Sequence, residues 1–209
     1  MSQNNLINII KLLQYNLHLF NGLWIPTKLA GVEFHDRERS YEAINIFNKS
    51  ELDFIMLQEI WSEKVANRFI KKCEDKYPYH YYDGNKKYGI MGSGLLFLSK
   101  HEILKSEFVK FNDYAGLDGM AYKGFAITKV NIYNQSIVIV NLHTQSDTAT
   151  RFYGNIRMEN IKQILEYLSK NYEDYPTIIA GDFNIEAESE TGSCDHQEEY
   201  KEFMILMEN

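Results

Sequence analysis

The sequence predicts an α/β protein in which a two-layer, mixed β-sandwich is flanked by helices. Short apolar runs bounded by turn residues alternate with longer segments of helical periodicity, which indicates layers of both kinds of element. Several of the short runs are apolar at consecutive positions, as strands are when both of their faces are covered. No internal repeat or Pro/Gly-rich linker divides the 209 residues, so we expect one domain over residues 1–209.

The predicted strands are apolar runs that end at turn residues. Ile55-Met56-Leu57 and Ile137-Val138-Ile139-Val140 are runs without a polar position. The connection Asn131–Ser136 is short enough for a tight hairpin, so the sheets should be mixed rather than purely parallel. The predicted strands span Ile7–Tyr15, Asp53–Gln58, Gly94–Ser99, Gly124–Ile132, Ser136–Leu142 and Thr177–Gly181.

Helices are predicted between these strands, where apolar residues recur three or four positions apart. The first spans about Arg37–Lys49, and the second starts at Ser62, a side chain suited to cap a helix N-terminus. The third runs from about Tyr153 to Asn171. The stretch Glu198–Met207 is predicted to be the start of a further helix.

Composition and charge narrow the classes of function. The chain has 29 acidic and 22 basic residues and a net charge of −7, whereas a non-specific nucleic-acid binder usually carries a basic patch, so a nucleic acid is the less favoured partner. The sequence has no apolar run long enough to span a bilayer, and Met1–Asn5 lacks the pattern of a secretory signal. Its two cysteines, Cys73 and Cys194, favour a reducing compartment, and a single disulfide between them is the alternative. We expect a protein that is cytoplasmic or peripheral to membranes.

Polar residues follow several predicted strands at the point where each strand ends. They are Asn16, Glu59, His143, Asp182 and Asn184. In layered α/β proteins, functional sites assemble at the rim formed by strand ends. Carboxylate and amide oxygens suit magnesium, which binds through one or two carboxylates together with waters and substrate phosphate. Histidine and asparagine can then stabilise phosphate oxygens as charge builds up in the transition state.

Each of these residues also has a simpler interpretation. Glu59 comes shortly before a predicted helix, where a carboxylate is favourable near the N-terminus. Asp182 and Asn184 could only terminate a strand, since Asp and Asn are frequent in turns. His143 could be a hydrogen-bonded histidine at the rim of a sheet without a catalytic role. The order of the whole set, more than any single residue, favours a site.

The same residues lie in four motifs that together resemble the endonuclease/exonuclease/phosphatase superfamily. The resemblance extends from about Leu12 to Glu186. Its motifs, in chain order, are Tyr15-Asn16, Leu57-Gln58-Glu59, Asn141-Leu142-His143 and Gly181-Asp182-Phe183-Asn184. Members of this superfamily are two-sheet α/β sandwiches that hydrolyse phosphodiesters or phosphomonoesters, so the resemblance implies that fold and that chemistry.

Within the superfamily the chain is most similar to the neutral sphingomyelinases. The segments that resemble theirs are Leu23–Pro26, Arg37–Arg39, Gln58–Glu63, Gly92–His101, Lys123–Phe125 and His143–Gln145. The similarity implies a phospholipase C-like enzyme that releases phosphocholine from sphingomyelin at a membrane surface. The alternatives are a nuclease or a phosphoinositide phosphatase of the same superfamily, or a catalytically impaired module that binds a partner or an anionic lipid.

Transferred to this sequence, the resemblance implies a magnesium site, with manganese as the alternative metal. Glu59 would be the main metal ligand and Asn16 would assist it. A metal held there would polarise a phosphoryl oxygen as a Lewis acid.

The resemblance also implies roles for the remaining strand-end residues. His143 and Asn184 would hold the substrate phosphate, and Asp182 would orient the attacking water or the general base. Lys123 is a further candidate for a phosphate contact. A lysine beside an exposed hairpin is, however, more often simply solvated.

The chain departs from the superfamily pattern at its C-terminal end. Members of the superfamily end in a strand followed by Ser-Asp-His, whose histidine accepts the proton of the attacking water, and here only residues 185–209 follow the Gly-Asp-Phe-Asn motif. Cys194-Asp195-His196 shares two letters with Ser-Asp-His, but it is expected in a polar loop, Glu186–Glu199, with no apolar strand before it. We therefore expect this chain to lack the closing strands and the catalytic histidine.

Sphingomyelin hydrolysis by the 209-residue chain should be weak or undetectable even with magnesium, because loss of a general base costs about 10²–10⁴-fold in rate. The measurement is the release of phosphocholine from sphingomyelin vesicles, compared with vesicles without protein. Vigorous hydrolysis by this polypeptide alone would contradict the expectation.

Overall fold

A computed structural model describes residues 9–19, 35–84, 92–148, 152–187 and 194–208, without the side chains of Leu117 and Cys194. The strands in these residues are β1 Leu12–Leu19, β2 Phe54–Ile60, β3 Tyr79–Tyr82, β4 Leu96–Ser99, β5 Ile103–Lys110, β6 Gly124–Ile132, β7 Gln135–His143 and β8 Thr177–Asp182. The helices are α1 Asp36–Lys49, α2 Glu63–Cys73, α3 Gly154–Asn171 and α4 Cys194–Glu208, and a 3-10 turn covers Gly116–Met120.

The described strands form two mixed sheets of four strands each. The first has the order β1-β2-β4-β3 and the second the order β5-β6-β7-β8. β1 and β2 are parallel, as are β7 and β8, and the other neighbours are antiparallel. Because parallel neighbours end at the same edge, the register sets Asn16 beside Gln58 and His143 beside Asp182.

The protein has four layers, in which two facing sheets lie between two outer layers of helices. Apolar side chains on both faces of each sheet hold these layers together. Phe54 and Met56 of β2 cluster with Ile139 of β7 between the sheets. The alternate β2 residues Ile55 and Leu57 face outward and cluster with apolar residues of α1 and α2, and α3 covers the second sheet in the same way. This two-sided burial is why the central strands are apolar at every position. The predicted α/β sandwich flanked by helices is confirmed.

The strand boundaries differ from those predicted at several places. β1 spans Leu12–Leu19 rather than Ile7–Tyr15, and Ile7 lies outside the described residues. β3 and β5 were not predicted, because β3 has only four residues and β5 carries charged residues within it. The hairpin predicted at Asn131–Ser136 is confirmed, with positive φ at Tyr133 and Asn134 as a type I′ turn requires.

The predicted polar loop Glu186–Glu199 is wrong in its second half. Cys194-Asp195-His196 begins α4, which continues to Glu208. Tertiary contacts account for the helix, because Glu199 forms a buried ion pair with α3 and Phe203 lies 5.1 Å from Phe183, centroid to centroid. No helix of the described ranges is long and apolar enough to cross a bilayer.

Buried amides join the two sheets close to the strand ends. Gln58 of β2 donates from Nε2 to Oδ1 of Asn141 in β7 (2.6 Å), and Gln14 of β1 donates to Oε1 of Gln58 (2.7 Å). The Asn141 amide donates in turn to two backbone carbonyls of the first sheet. Because buried polar groups are costly unless they are hydrogen-bonded, this network fixes β2 against β7. Glu59 follows Gln58 directly along the chain, and His143 lies two residues after Asn141.

Gly181 permits the close approach of β8 to β7 that positions Asp182. Its φ is 150°, and a Cβ here would lie 2.3 Å from the carbonyl oxygen of Leu142. We expect Gly181→Ala to lower the free energy of unfolding by about 2–4 kcal/mol, because the backbone must move to relieve strain and overlap. Urea unfolding measures the change. Gly92→Ala is the control, since its Cβ would meet nothing closer than 3.4 Å, and an equal loss in both variants would contradict this explanation.

Candidate active site

A β-bulge between β1 and β2 positions Glu59 in the site. Between two regular pairs of the ladder, Leu17 and His18 of β1 oppose the single residue Glu59 of β2. His18 and Glu59 both have positive φ, 51° and 61°, a sparsely populated conformation that costs about 1–3 kcal/mol per residue and is concentrated at functional sites. The bulge brings the two side chains together, with His18 Nδ1 3.1 Å from Glu59 Oε2.

Asn16 links a carboxylate of the first sheet to a carboxylate of the second. Its Nδ2 donates to Glu59 Oε1 (2.9 Å) and to Asp182 Oδ2 (2.7 Å), so each amide hydrogen has its own acceptor. Its Oδ1 accepts the backbone N–H of His18 (2.9 Å). Glu59 and Asp182 are therefore held close together, although two like charges would otherwise repel each other.

The turn after β8 arranges Asp182 and Asn184. Asn184 has a φ of 51°, and its backbone N–H donates to Asp182 Oδ1 (3.0 Å), which is an Asx turn. The Asn184 side chain donates from Nδ2 to the carbonyl oxygen of Thr144 (3.0 Å). The turn therefore connects the end of β8 to the segment that follows β7.

His143 adjoins Asp182 and is only 2% exposed. Its Nε2 lies 3.8 Å from Asp182 Oδ2, and its ring centroid lies 6.2 Å from that of Trp61. Burial, and after it the positive charge of Lys123, lowers the pKa of His143 well below its usual value. The imidazole is therefore neutral at neutral pH and offers one N–H donor.

Lys123 is buried, contrary to the interpretation of a solvated lysine beside a hairpin. Its Nζ contacts Asp118 Oδ2 (2.8 Å), the Thr144 carbonyl oxygen (3.0 Å) and Ser146 Oγ (3.3 Å). Burial lowers the pKa of Lys123, and the Asp118 carboxylate opposes that effect. The carbonyl of Thr144 accepts from both Lys123 and Asn184, so these two candidates for phosphate contacts share one anchor.

A cleft of about 720 Å³ is lined by three of the predicted site residues, Asn16, Asp182 and Asn184, whereas Glu59, His143 and Lys123 are not among its lining residues. It is lined by Gln14, Tyr15, Asn16, Ser146, Asp147, Gly181, Asp182, Phe183, Asn184, Ile185 and Glu186. Ser146, Asp147 and the bulge residue His18 were not predicted as site residues. Ser146 and Asp147 directly follow the His143 motif, so extending the strand-end criterion by a few residues would have found them, whereas His18 depends on the bulge.

The oxygen atoms in the site suit a hard divalent cation. Within the described ranges no three or more His, Cys, Asp or Glu side chains are grouped to hold a metal, so a cation here would take most ligands from water and substrate. Glu59 Oε2 is buried and lies 3.1 Å from His18 Nδ1 without a hydrogen bond of regular geometry, and the Asn16 amide is hydrogen-bonded to the other oxygen of the same carboxylate. Magnesium binds proteins in this way, through one or two carboxylates with waters and phosphate oxygens. The residues present therefore fit magnesium.

Comparison with known proteins identifies the family whose sequences this chain matches. The model of the Endonuclease/Exonuclease/phosphatase family matches residues 13–193. A putative neutral sphingomyelinase of Drosophila melanogaster is 26% identical over 183 residues, which are 83% of this chain and 40% of that protein. A phospholipase C of Staphylococcus aureus is 21% identical over 198 residues, 84% of this chain and 57% of that protein. This chain therefore spans roughly half the length of the curated relatives that it matches.

Solved structures share the fold. Sphingomyelinase C from Streptomyces griseocarneus aligns with a TM-score of 0.77 at 24% identity, over 94% of this chain and 69% of that one. A beta toxin mutant from Staphylococcus aureus, crystallised with bound magnesium ions, aligns with a TM-score of 0.73 at 19% identity, over 94% of this chain and 69% of that one. The mixed two-sheet architecture is thus that of sphingomyelinase structures.

Lowering the pH should destabilise the protein through His143. Because the pKa of His143 is depressed in the folded state, the unfolded state binds a proton that the folded state does not. The free energy of unfolding should fall as the pH drops through the unfolded pKa of about 6.5, by up to about 1.36 kcal/mol per pH unit. In His143→Gln the slope between pH 7 and pH 5.5 should be shallower, as measured by urea unfolding. His80→Gln, at an exposed position of β3, should keep the original slope; identical slopes for His143→Gln and the unmodified protein would contradict the prediction.

Proposed function

The chain belongs to the endonuclease/exonuclease/phosphatase family, and from this premise we propose that it is a magnesium-dependent phosphodiester hydrolase. The proposed reaction is that of a phospholipase C, which releases phosphocholine from sphingomyelin or a related choline phospholipid at a membrane surface. One observation carries the proposal most directly. The Asn16 amide holds Glu59 and Asp182 together, while Glu59 Oε2 is buried and has only the ionic contact with His18 Nδ1 at 3.1 Å in place of a regular hydrogen bond, as a carboxylate oxygen that takes a cation would.

Glu59 and Asn16 would hold the metal. When bound, magnesium would polarise a phosphoryl oxygen and neutralise charge that develops on it. The side chain of Glu59 needs little rearrangement for this role, because the bulge and the amide of Asn16 already orient its carboxylate. Manganese, with similar ligand preferences, is the alternative cation.

Three groups around the Thr144 segment would stabilise the phosphate. Lys123 supplies a buried positive charge, and Asn184 supplies an amide N–H. Neutral His143 supplies a hydrogen-bond donor without bringing a second full charge into the site. Such preorganised donors act where charge builds up in the transition state, and each is typically worth about 10²–10³-fold in rate.

Asp182 would orient the attacking water. Its Oδ2 accepts from Asn16 and its Oδ1 from the backbone of Asn184, so both oxygens are fixed in position. With its side chain 23% exposed toward solvent, it can accept a further hydrogen bond from a water in the cleft. A fixed carboxylate next to the phosphate site would direct the oxygen of that water toward phosphorus.

The names of the relatives favour a lipid substrate over a nucleic acid. Those named above are a sphingomyelinase, a phospholipase C and a sphingomyelinase C, and the net charge of −7 does not favour a polyanion. The second candidate is a catalytically impaired module that binds the same headgroup without turnover. It is favoured by the small number of protein ligands, since within the described residues no three His, Cys, Asp or Glu side chains are grouped to hold a metal.

Magnesium should stabilise the protein through Glu59. At a free concentration of about 100 Kd, a ligand of the folded state adds about 2.7 kcal/mol to the free energy of unfolding. We expect magnesium, tested with and without phosphocholine, to raise the melting temperature, and we expect Glu59→Ala to abolish that rise because the carboxylate is lost. Differential scanning fluorimetry with EDTA-treated protein measures it.

Glu63→Ala is the matched control, since Glu63 is an exposed carboxylate at the start of α2. A magnesium effect that persists in Glu59→Ala, or that is lost equally in Glu63→Ala, would argue against the proposed metal site. Sensitive assays with sphingomyelin, a phosphoinositide and DNA then separate the reactions. Metal-dependent release of phosphocholine would support the leading proposal, and binding without any release would favour the impaired module.

A further inference from the structure

Arg157 of α3 is fully buried, and each N–H of its guanidinium donates a hydrogen bond to a protein acceptor. Nε and Nη2 donate to the carboxylate of Glu199 in α4 (2.5 and 2.9 Å), and Nη1 and Nη2 donate to the carboxylate of Asp147 (2.7 and 3.1 Å). Nη1 also donates to the carbonyl oxygen of Gln145 (3.3 Å). A buried guanidinium is costly unless it is paired and fully hydrogen-bonded, as it is here. The metal site and the phosphate contacts proposed above do not use this residue.

One side of Arg157 is closed by α4. Glu199 is 5% exposed, so the ion pair is shielded from water and from salt. The guanidinium also lies over the ring of Phe152 at 5.1 Å, and His196 of α4 meets the same ring edge-on at 4.9 Å. Burial acts to lower the pKa of Arg157, but the hydrogen bonds of Glu199 and Asp147 outweigh it and raise the pKa. The charge is therefore permanent.

The other side of Arg157 faces the segment that follows β7 and lines the cleft. Asp147 receives two bonds from the guanidinium and a third from the backbone N–H of Tyr153 (2.7 Å). The carbonyl oxygen of Gln145 accepts a hydrogen bond from Arg157, and the backbone N–H of Gln145 donates to Asn160 Oδ1 of α3 (3.2 Å). Residues 145 and 147 are thus attached to α3 through side chains and not by the strand ladder.

This attachment reaches the candidate phosphate contacts through Thr144. Thr144 lies directly before Gln145, and its carbonyl is the common acceptor of Lys123 Nζ and Asn184 Nδ2. Ser146, between the two anchored residues, contacts Lys123 and Asp118. A shift of residues 145–147 would therefore move the acceptors that set the positions of the lysine and the asparagine.

We propose that Arg157 and Glu199 are positioning residues of the site, which hold residues 144–147 so that Lys123 and Asn184 face the phosphate. The effect on turnover rests on the proposed function, whereas the effect on the segment itself does not. Glu199 does not line the cleft, so its polar link to the site runs through the Arg157 guanidinium. Phe203 of α4 makes a separate, apolar contact with Phe183 of the cleft, which variants of Glu199 leave in place. A purely structural role would instead weaken the whole sandwich and leave the site in each folded molecule unchanged.

The test uses Glu199→Gln, which keeps the shape of the side chain but presents an amide N–H to one guanidinium nitrogen. Arg157→Lys is the second variant, because an ammonium cannot reproduce the two forked contacts. Lys162→Ala is the matched control, since it removes an exposed 2.7 Å ion pair with Glu159 on the same helix. Hydrogen exchange of the full chain is followed at the amides of Gln145, Ser146 and Tyr153, with Ile139 and Val140 of β7 as the internal reference.

We expect exchange at the three segment amides to rise about tenfold or more in Glu199→Gln, with the β7 reference and Lys162→Ala unchanged. In sphingomyelin hydrolysis, kcat per folded molecule should fall about tenfold or more while KM stays within about twofold, because contacts made in the transition state are displaced. Unchanged exchange at the segment in both Glu199→Gln and Arg157→Lys, or an equal rise in the β7 reference, would overturn the proposal. Absence of hydrolysis by the unmodified chain is the outcome already expected for this polypeptide and does not bear on the segment, so exchange alone would then decide the positioning role.

Discussion

Two carboxylates, those of Glu59 and Asp182, lie close together at the junction of the two sheets, and the amide of Asn16 holds them there by donating one N–H to each. Like charges repel, and the repulsion is stronger near the low-dielectric interior of a protein than in water. The arrangement persists because the parallel pairs β1–β2 and β7–β8 bring these strand ends to one edge. A concentration of negative oxygen atoms is what a hydrated divalent cation requires.

Locally unfavourable features are gathered at this same end of the sandwich. Glu59 and His18 adopt positive φ values, and Gly94 leaves room for the ring of Trp61, to which an added Cβ would approach within 2.9 Å. His143 and Lys123 are buried polar groups whose pKa values are both lowered by loss of solvent. None of these features helps the fold by itself. The packed layers and the buried amides of the sheets hold them in place, as is typical of a site built for chemistry.

The polar contacts do not stop at the cleft. From Thr144 they continue through Gln145 and Asp147 to Arg157, and from there to Glu199 in α4. Because every acceptor in this chain of contacts is buried or half-buried, each bond constrains the next instead of being exchanged with water. The site is therefore supported from two directions: by the strand ends beneath Glu59 and Asp182, and by two helices beside the phosphate contacts.

Much of the fold and part of the candidate site could be predicted from local sequence. Burial on both faces makes the central stretches of β2 and β7 apolar at consecutive positions. The turn residues from Gly181 to Asn184 end β8 at the place where a site can form. The same reasoning finds His143 at the end of β7, whereas Asn16 and Glu59 lie within β1 and β2, because both strands continue past the predicted ends. Local patterns did not reveal β3 or β5, and they placed the start of the C-terminal helix at Glu198 instead of Cys194, because short or polar segments acquire their conformation from what they contact. The bulge at His18, the burial of Lys123 and the pairing of Arg157 with Asp147 and Glu199 likewise depend on residues distant in the chain. The sequence by itself determined which polar residues lie near the ends of the strands. Only the tertiary structure decided which of these residues contact each other, because hydrophobic periodicity indicates which face of an element is buried and does not indicate which element packs against it.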